Sequence, residues 1–511
     1  MVQLLTIKMK HKSALASLLL FLLLLLVHSP EVYSQATLFE VNPINFGQGI
    51  TISSSDTLPG AWRQGQNPAG LVNSGLEDTG MVRFSSFVER GSYRQIHQPE
   101  ELLYGLFTAK GAQTIDEWKV NGSIDLSRGI NTNQNFYSRA PRQNHNPYQW
   151  VDTTGGDWTN NLVALSGAVG SPLLRDRINL GLSASYDVMQ GARENNERPL
   201  FNYSKYSLTT GLLYQINNHS EAGFSFTYGS TNEEQEIGFF NQLDTFVLLL
   251  RGIGTFNQTS FNSASRTYQG TLSGVNAQYV RSTNSGLLSL SAGYSFYSED
   301  ISTGISRPTP TGQWELHTIN SANIFRMQGL RIYHEFILDG SAMIGNGTDP
   351  VLNGINVELS VLRAELGYNL VEPDRGRRYK FRAGFVHYAK DDIVSLASQS
   401  YSLMNLDTRI TYPLFGPSFK FDAGLGLQIP LDYSLIFRNQ NEVISRFFIP
   451  QASFIDETTL SSDIHFYYTW RLSSYSLAAG LKLYHNTAPQ SAGTLQENSR
   501  GFAGLHLTIL Y

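Results

Sequence analysis

The sequence predicts an all-β fold, an antiparallel transmembrane β-barrel of about eighteen strands with short periplasmic turns and long extracellular loops. Three observations lead to this fold class. The chain starts with a secretory-type leader, and no second long apolar stretch follows it. Apolar residues instead recur at every second position in many segments, which is the period of a strand with one apolar face. Short and long polar connections alternate between these segments.

The amino terminus has the three parts of a secretory signal peptide. Three lysines precede an apolar run from Leu18 to Val27, and small residues follow at Ser34 and Ala36. This order predicts a signal peptide over residues 1–34, with cleavage after residue 34 or 36. A permanent membrane anchor is the alternative, but the run is shorter than the ~20 apolar residues that span a bilayer comfortably. No Cys occurs at the cleavage site, which excludes a lipoprotein.

The composition narrows the class of protein. Charged residues make up 15% of the chain, while 26 Tyr and 29 Phe are present, as the aromatic girdles of a transmembrane barrel require. The absence of Cys excludes a disulfide scaffold, a thiol nucleophile and a Cys-ligated metal site. The net charge of −5 gives no reason to expect a nucleic-acid partner. We therefore predict neither a cofactor nor a metal.

The last eleven residues, Gly501 to Tyr511, give the clearest strand pattern. Leu505 and Leu507 fall on one face with the terminal aromatic ring, while His506 and Thr508 fall on the other. Such an end resembles the closing strand of bacterial outer-membrane barrels, where an aromatic terminus is recognised by the barrel assembly machinery. The resemblance implies that Phe502 and Tyr511 belong to the assembly signal.

The number of strands follows from the connections. Eight short turns are predicted at Ala112 to Asp116, Ser171 to Arg175, Asn217 to Ser220, Ser282 to Ser285, Met327 to Gly329, Glu372 to Arg377, Phe415 to Pro417, and Ser473 to Ser474. Longer polar segments are predicted at Asn131 to Asp157, Glu233 to Thr259, Ser298 to Gly312, Gly345 to Gly354, Leu431 to Asp456, and His485 to Ser499. Each short turn joins two strands, and one further strand lies at each end, so residues 79–511 form about eighteen strands.

Two segments leave the count open. The apolar parity changes between Val361 and Leu362, which suggests a bulge. The segment from Phe239 to Thr255 contains FVLLL and could be a strand, a loop hairpin or a short helix. Fourteen or sixteen strands remain as alternatives.

The face opposite the lipid carries many charged side chains. Glu358 is one of them, and the set predicted to line a solute path is Arg331, Glu335, Asp339, Arg363, Glu365, Lys380, Arg382, Asp407, Arg409, Asp422, Asp463, His465 and Arg471. One interpretation is a ladder of ion pairs that braces the wall. The other is a polar lumen that binds or passes a solute. Acidic and basic residues are nearly balanced, which argues against strong ion selectivity from a ring of one sign.

Residues 35–78 precede the first predicted strand and contain several prolines, which pair poorly in a sheet. This segment either hangs in the periplasm or folds into the barrel as a hatch. Residues 67–71 read NPAGL, which resembles a motif near the N-terminus of the long-chain fatty-acid transporter family. The resemblance implies a lumenal hatch, here with Trp62, Asn67 and Pro68, and a hydrophobic substrate that passes through the wall.

As a whole, the chain resembles uncharacterised outer-membrane barrels of the Bacteroidetes type, a likeness that implies a fold but no activity.

One predicted extracellular segment, Asn131 to Asp157, holds Phe136, Tyr137, His145, Tyr148 and Trp150. Aromatic and amide side chains suit contacts with sugars or a partner. The alternative is that this loop packs on its neighbours and caps the mouth.

The residue types of one segment raise the alternative of an enzyme. His387 with Asp391 and Asp392 has the residue types that an omptin-like protease uses to activate water. No second acidic pair or hydrolase motif accompanies them, so we interpret the two aspartates as solvated loop charges and predict no enzyme activity.

The sequence therefore predicts a monomer in outer-membrane lipid that binds or translocates a small solute, with a hydrophobic solute as one option. The alternative is an accessory barrel that scaffolds an unidentified envelope protein on its long outer loops.

Overall fold

The computed structural model describes most of the chain from Asn67 onward. The described residues are 67–74, 78–136, 138–140, 144–152, 154–194, 197–238, 247–259, 263–304, 307–329, 331–352, 354–416, 418–438, 441, 443–488 and 499–511. The predicted signal peptide and most of the predicted hatch segment, including Trp62, lie outside them. Within the described ranges, no helix is long and apolar enough to cross a membrane.

The structure contains two antiparallel sheets, of which the larger is a closed barrel of eighteen strands. In chain order the strands are β1 (Thr79–Gly91), β2 (Glu101–Ile115), β3 (Trp118–Thr132), β4 (Trp150–Asp152), β5 (Trp158–Gly170), β6 (Ile178–Arg193), β7 (Glu197–Asn217), β8 (Ser220–Gly238), β9 (Val247–Leu250), β10 (Phe256–Thr259), β11 (Ser263–Thr283), β12 (Gly286–Thr303), β13 (Thr309–Gln328), β14 (Tyr333–Asp349), β15 (Gly354–Glu372), β16 (Arg377–Asp392), β17 (Ala397–Pro413), β18 (Phe419–Ile436), β19 (Thr459–Arg471), β20 (Ser476–Thr487) and β21 (Ser499–Leu510). Strands β4, β9 and β10 form the small sheet, and all the others form the barrel.

The ring closes where β1 pairs with β21. Gly80 N–H donates to the Tyr511 carbonyl at 2.7 Å, and Tyr511 N–H donates to the Gly80 carbonyl at 3.0 Å. A Cβ at Gly80 would lie 2.3 Å from the Tyr511 ring, so the missing side chain makes room for that ring. Thr79 and Tyr511 thus lie together at one end of the barrel.

The predicted strand count is confirmed. Eight short connections, which lie at or next to the eight predicted turns, join pairs of strands at the end that holds Thr79 and Tyr511. The other connections lie at the opposite end, which we call the outer end. Because β1 and β21 complete the ring, the number is eighteen and neither fourteen nor sixteen.

The outside of the barrel is apolar. Along β6, Leu180, Leu182 and Tyr186 are each more than 40% exposed, whereas Asn179, just before Leu180, is buried. The same alternation holds on β21, where Leu505 is 62% exposed and His506 is 9% exposed. Exposed apolar residues that recur at every second position of a closed barrel form the lipid-facing surface of a transmembrane protein.

Two predicted outer loops are shorter than expected. Strand β12 continues to Thr303 and β13 starts at Thr309, while β14 and β15 are separated by residues 350–353. Much of the predicted loops from Ser298 to Gly312 and from Gly345 to Gly354 is therefore strand. The alternation there is obscured because several inward side chains are apolar and contact other protein segments rather than water.

The predicted bulge at Val361 is wrong. The pairing of β14 with β15 is continuous from Tyr333 to Gly347, and its irregularity lies between Gly347 and Thr348. Val361 is buried inside the barrel and Leu362 is 47% exposed outside it, so the faces never switch. Inward apolar residues near the outer end caused the apparent change of parity. On the same strand, Glu358 is exposed on the outer face, which corrects its predicted inward position.

A cap fills the outer mouth of the barrel. It consists of the described residues of 133–157, 247–259 and 437–458, and it includes the small sheet, a π-helical turn (Ile444–Phe448) and the helix α1 (Ile449–Ile455). The segment from Phe239 to Thr255 thus contributes β9, paired with β10 in a hairpin of the cap, although residues 239–246 lie outside the described part.

Cap side chains pack against strands on several sides of the ring. Ala140 packs with residues of β5, β6 and β7, and Trp150 packs with Ile237 of β8. Tyr148 packs with residues of β11, β12, β13 and β15. Ile455 packs with Tyr401 and Leu403 of β17. A segment in contact with so many strands lies inside the ring, so the interpretation of Asn131 to Asp157 as a loop that caps the mouth is the one that the structure supports.

The register of β19 generates a prediction. Phe466 packs on the outer face with Phe421, at 5.1 Å between ring centroids, whereas His465 is 7% exposed and faces the lumen. Phe466→Arg should destabilise the barrel by about 2–4 kcal/mol if that position is near the bilayer midplane. His465→Arg should cost less, because the Asp422 carboxylate lies 3.6 Å from His465. Urea unfolding in lipid vesicles measures both, and equal losses would contradict the register.

Candidate functional site

A cavity of about 790 Å³ lies in the lumen beneath the cap. Its wall is formed by inward side chains of β14 to β18, and its roof by residues of the cap. Apolar roof residues include Phe136, Leu250, Phe447 and Phe448. The cavity therefore has an apolar roof and a polar wall.

Basic side chains outnumber acidic ones around the cavity. The six basic residues are Arg139, Arg363, Lys380, Arg382, Lys390 and Arg409, and the three acidic residues are Asp339, Glu365 and Asp407. Arg382 pairs with Glu365 at 2.9 Å, and Arg409 pairs with Asp463 at 2.7 Å. The side chains of Lys380 and Lys390 make no hydrogen bond or close ion pair to any residue that the structure describes.

Seven of the residues predicted to line a solute path line this cavity. They are Asp339, Arg363, Glu365, Lys380, Arg382, Asp407 and Arg409. Asp422, Asp463 and His465 are not among its lining residues and instead form a neighbouring charged cluster on β18 and β19.

Three other members of that predicted set lie elsewhere. Glu335 is buried, accepts hydrogen bonds from Arg326 and Asn369, and braces β13 to β15. Arg331 is a correction, because it lies exposed in the turn between β13 and β14, where the chain has left the strand. Arg471 is exposed at the last position of β19, at the short-turn end. Glu335, Asp422 and Asp463 therefore fit the interpretation of ion pairs that brace the wall.

The sequence analysis missed Tyr388, Lys390 and Tyr401, which also line the cavity. The signal was available, since Tyr388 and Lys390 share the parity of Lys380 and Arg382 along β16.

Carboxylates of the wall hold the first cap segment. Glu233 and Glu299 are fully buried. The Arg139 guanidinium lies 3.5 Å from Glu233 and 3.6 Å from Glu299, and Ala140 N–H donates to Glu233 at 3.1 Å. Asn146 also donates to Glu299. The loop after β3 is thereby fixed to β8 and β12.

Two further buried carboxylates hold the hairpin of β9 and β10. Arg251 donates to Asp349 at 2.8 Å. Asp392 Oδ2 accepts backbone N–H groups of residues 253–255 at 3.1 to 3.2 Å. Asp392 Oδ1 accepts two more hydrogen bonds, from the backbone N–H groups of Val394 and Ser395.

This geometry corrects the view of Asp392 as a solvated loop charge. Asp392 is 1% exposed, while its neighbour Asp391 is exposed as expected. His387 bonds to Ser402 at 3.0 Å, and its odd-numbered position faces away from Asp392. The three residues do not come together as a catalytic group.

Two histidines that line the cavity, His97 and His145, are half-buried. Burial lowers the pKa of His97 to about 4. Burial, with the positive charges of Arg363 and Lys390, lowers the pKa of His145 to about 4. His145 Nε2 has no hydrogen-bond partner among the described residues. Within that same part of the chain, no group of three His, Asp or Glu side chains could hold a metal ion.

The NPAGL segment lies inside the barrel, against strands other than those that form the cavity wall. Pro68–Leu71 forms a 3-10 turn whose residues are fully buried or nearly so and contact β5, β6, β7 and β8. Asn67 caps this turn by accepting from Ala69 N–H at 3.0 Å, and its amide donates to the Leu212 carbonyl at 3.1 Å.

Glycines of the wall make room for this turn. A Cβ at Gly181 would lie 2.1 Å from Ala69 N, and one at Gly211 would lie 2.1 Å from Asn67 Oδ1. A Cβ at Gly223 would lie 2.7 Å from Asn67 Nδ2. Asn67 and Pro68 thus occupy a glycine-lined seat in the lumen, and their role in a hatch stays a prediction.

The two residues predicted as an assembly signal lie on opposite faces of the closing strand. Tyr511 is 67% exposed beside Gly80 at the short-turn end. Phe502 faces inward and packs on Phe87, at 5.2 Å between ring centroids. Their role in assembly stays a prediction.

The buried Asp392 carboxylate generates a prediction. Asp392→Asn removes charge-assisted hydrogen bonds that contribute about 1.5–3 kcal/mol each. Hydrogen exchange of residues 247–257 should therefore become roughly 10- to 100-fold faster. Asp391→Asn is the matched control, because Asp391 is exposed on the same strand. Equal exchange in the two variants would show that Asp392 does not hold the cap.

Stability of the cap should also depend on pH. The folded pKa of about 4 for His97 and His145 lies below the ordinary value of about 6.5. Their neutral forms favour the closed cap fully above pH 6.5, and this contribution is lost as the pH falls towards 4.

Proteolysis of the cap should accelerate over that window in the native protein and less steeply in a His97→Gln/His145→Gln variant. His219→Gln, in an exposed turn, is the control. An unchanged pH profile in the double variant would exclude these histidines as the cause.

Comparison with solved structures finds similar chains at low sequence identity. The chain is similar to the ferric yersiniabactin uptake receptor FyuA from Yersinia pestis, with 8% identity, a TM-score of 0.46, and coverage of 85% of this chain and 80% of that one. It is similar to a Pseudomonas aeruginosa FadL homologue, with 12% identity, a TM-score of 0.32, and coverage of 87% and 92%. It is also similar to OccAB2 from Acinetobacter baumannii, with 11% identity, a TM-score of 0.35, and coverage of 85% and 98%.

The barrel assignment rests on the strand pairing of this chain and not on these likenesses. No curated protein matches the chain. One family model matches residues 68–511, from the proline of the lumenal turn to the terminal tyrosine. The chain belongs to this family, which is described as a family of unknown function, DUF6850.

Proposed function

We propose that this protein is an outer-membrane barrel that binds a small solute in the cavity beneath its cap and translocates it when the cap opens. The observation that carries the proposal is the cavity itself. Its volume of about 790 Å³ lies within the range of about 300–1,000 Å³ that is usual for ligand sites. It lies on the lumenal path between the outer mouth and the short-turn end.

The roof and the wall of the cavity favour different parts of a solute. Phe447 and Phe448 give the roof an apolar surface, which supports the option of a hydrophobic group on the solute. The wall carries the charged side chains of β14 to β17. A solute that uses the whole cavity has a polar side and an apolar side.

A scaffold for an envelope partner receives less support. The aromatic residues that would contact a partner, Phe136, Tyr148 and Trp150, are buried within the mouth. They hold the cap against the wall and do not present a surface to the outside.

A disulfide between cap and wall tests the translocation step. A Cβ built at Gly254 lies 3.4 Å from the Ala397 Cβ, close to the ~3.5–4.5 Å between Cβ atoms in disulfides. The chain has no native Cys, so Gly254→Cys/Ala397→Cys offers one pair of thiols. Each single variant is a control. Gly254→Cys alone shows the effect of the contact between the new side chain and Ser395.

Conductance in planar bilayers is the measurement. We expect the oxidised double variant to stay closed, the reduced form to behave like the native protein, and Asp392→Asn to open more often. If the oxidised double variant and Asp392→Asn have the same conductance, passage through the cap is contradicted. The same conclusion holds if neither protein conducts.

A further inference from the structure

We propose that the solute is an extended oligoanion rich in hydroxyl groups, of the acidic oligosaccharide class. This inference rests on the proposed function, because it names the chemical class of the solute for the same cavity. It is drawn from the positions of the basic, amide and aromatic side chains that line the cavity wall.

The basic residues follow one strip of the wall. Lys380, Arg382 and Lys390 lie on the inner face of β16, and Arg363 lies beside them on β15, paired with Val386. Since a strand rises ~3.4 Å per residue, Arg382 and Lys390 are separated by ~27 Å along the strand. Arg363 lies about midway between them. This spacing suits negative groups repeated along an extended ligand better than a single anionic head.

Three carboxylates of the same wall, Asp339, Glu365 and Asp407, lie near Arg382, so the positive charge that remains on this strip is that of Arg363, Lys380 and Lys390. Glu365 pairs with Arg382, and Arg409 is paired with Asp463. The side chains of Lys380 and Lys390 make no hydrogen bond or close ion pair to a described residue, although both line the cavity. Half-buried ammonium groups without a hydrogen-bond acceptor favour an anionic ligand.

Amide side chains supply hydrogen bonds for hydroxyl groups. Gln95 and Gln428 line the cavity, are 6% and 3% exposed, and make no side-chain hydrogen bond to a described residue. The same holds for Asn405 of β17 and Gln451 of α1, which also line the cavity. An amide both donates and accepts, as a sugar hydroxyl does. Buried polar groups ordinarily have partners, so the buried Gln95 and Gln428, together with the half-buried Asn405 and Gln451, favour a ligand of matching chemistry.

Tyrosine rings border the upper part of the strip. Tyr388 and Tyr401 stack at 4.8 Å between centroids, with 10° between their planes, and both line the cavity next to Lys390. Tyrosine combines an apolar ring with a hydroxyl. A sugar ring, which has an apolar face and a hydroxylated edge, matches both properties.

Calorimetry on the purified full-length protein tests the chemical class of the solute. The probes are tetragalacturonate, neutral maltotetraose, and a tetraglutamate peptide. We expect tetragalacturonate to bind at least tenfold more tightly than either of the others. Lys380→Gln and Lys390→Gln should each weaken its binding by about tenfold or more, since a hydrogen bond to a charged group is lost. Lys110→Gln is the matched control, since Lys110 lies on the inner face of β2 and does not line the cavity.

The outcomes separate this inference from the proposed function. Equal binding of maltotetraose would overturn the requirement for charge, and equal binding of tetraglutamate would overturn the carbohydrate class in favour of an acidic peptide. If Lys110→Gln weakens the binding of tetragalacturonate as much as Lys390→Gln does, the binding site is not this cavity. If no probe binds while the oxidised cap still blocks conductance, the solute class is wrong and translocation stands; if conductance also fails to respond, the proposed function is contradicted as well.

Discussion

The position of the cap depends on carboxylates that the barrel wall buries from solvent. An ionised carboxylate withdrawn from water is destabilising unless cations or N–H donors surround it. The cap supplies these groups, through Arg139 for Glu233 and Glu299, Arg251 for Asp349, and the backbone of residues 253–255 for Asp392. Removing the cap from the mouth would leave these carboxylates without those partners. The cavity exists because this requirement fixes the roof above the charged wall.

The two halves of the wall have different roles. Strands β5 to β8 present glycines to the lumen and receive the Asn67 turn, whereas β14 to β18 present charged and amide side chains to the cavity. The same strand geometry therefore lets a backbone turn approach closely on one side and forms a polar binding surface on the other. The difference arises from the size and polarity of the side chains, since pairing is antiparallel throughout the barrel.

Much of the barrel could be predicted from the sequence, because lipid imposes a local rule. Every second residue of a spanning strand must be apolar, and turns such as Ser473 to Ser474 interrupt that pattern within a few residues. Inward positions such as Lys380 and Arg382 followed from the same parity. The cap could not be predicted in this way, since Arg139 and Glu233 meet across 94 residues of chain. The bulge at Val361 was wrongly predicted for the same reason, because the apolar side chain of Val361 packs on Tyr148 of the cap and not on lipid.

The pairing of β1 with β21 has a consequence for biogenesis. The seam joins the first strand of the barrel to the last residues of the chain, down to the mutual hydrogen bonds of Gly80 and Tyr511. A chain that ends one strand early would leave two unpaired edges, and open edges associate readily with other chains. Closure is thus available only to a polypeptide that contains both β1 and β21. A barrel that lacks either strand stays open and can pair with strands of other chains.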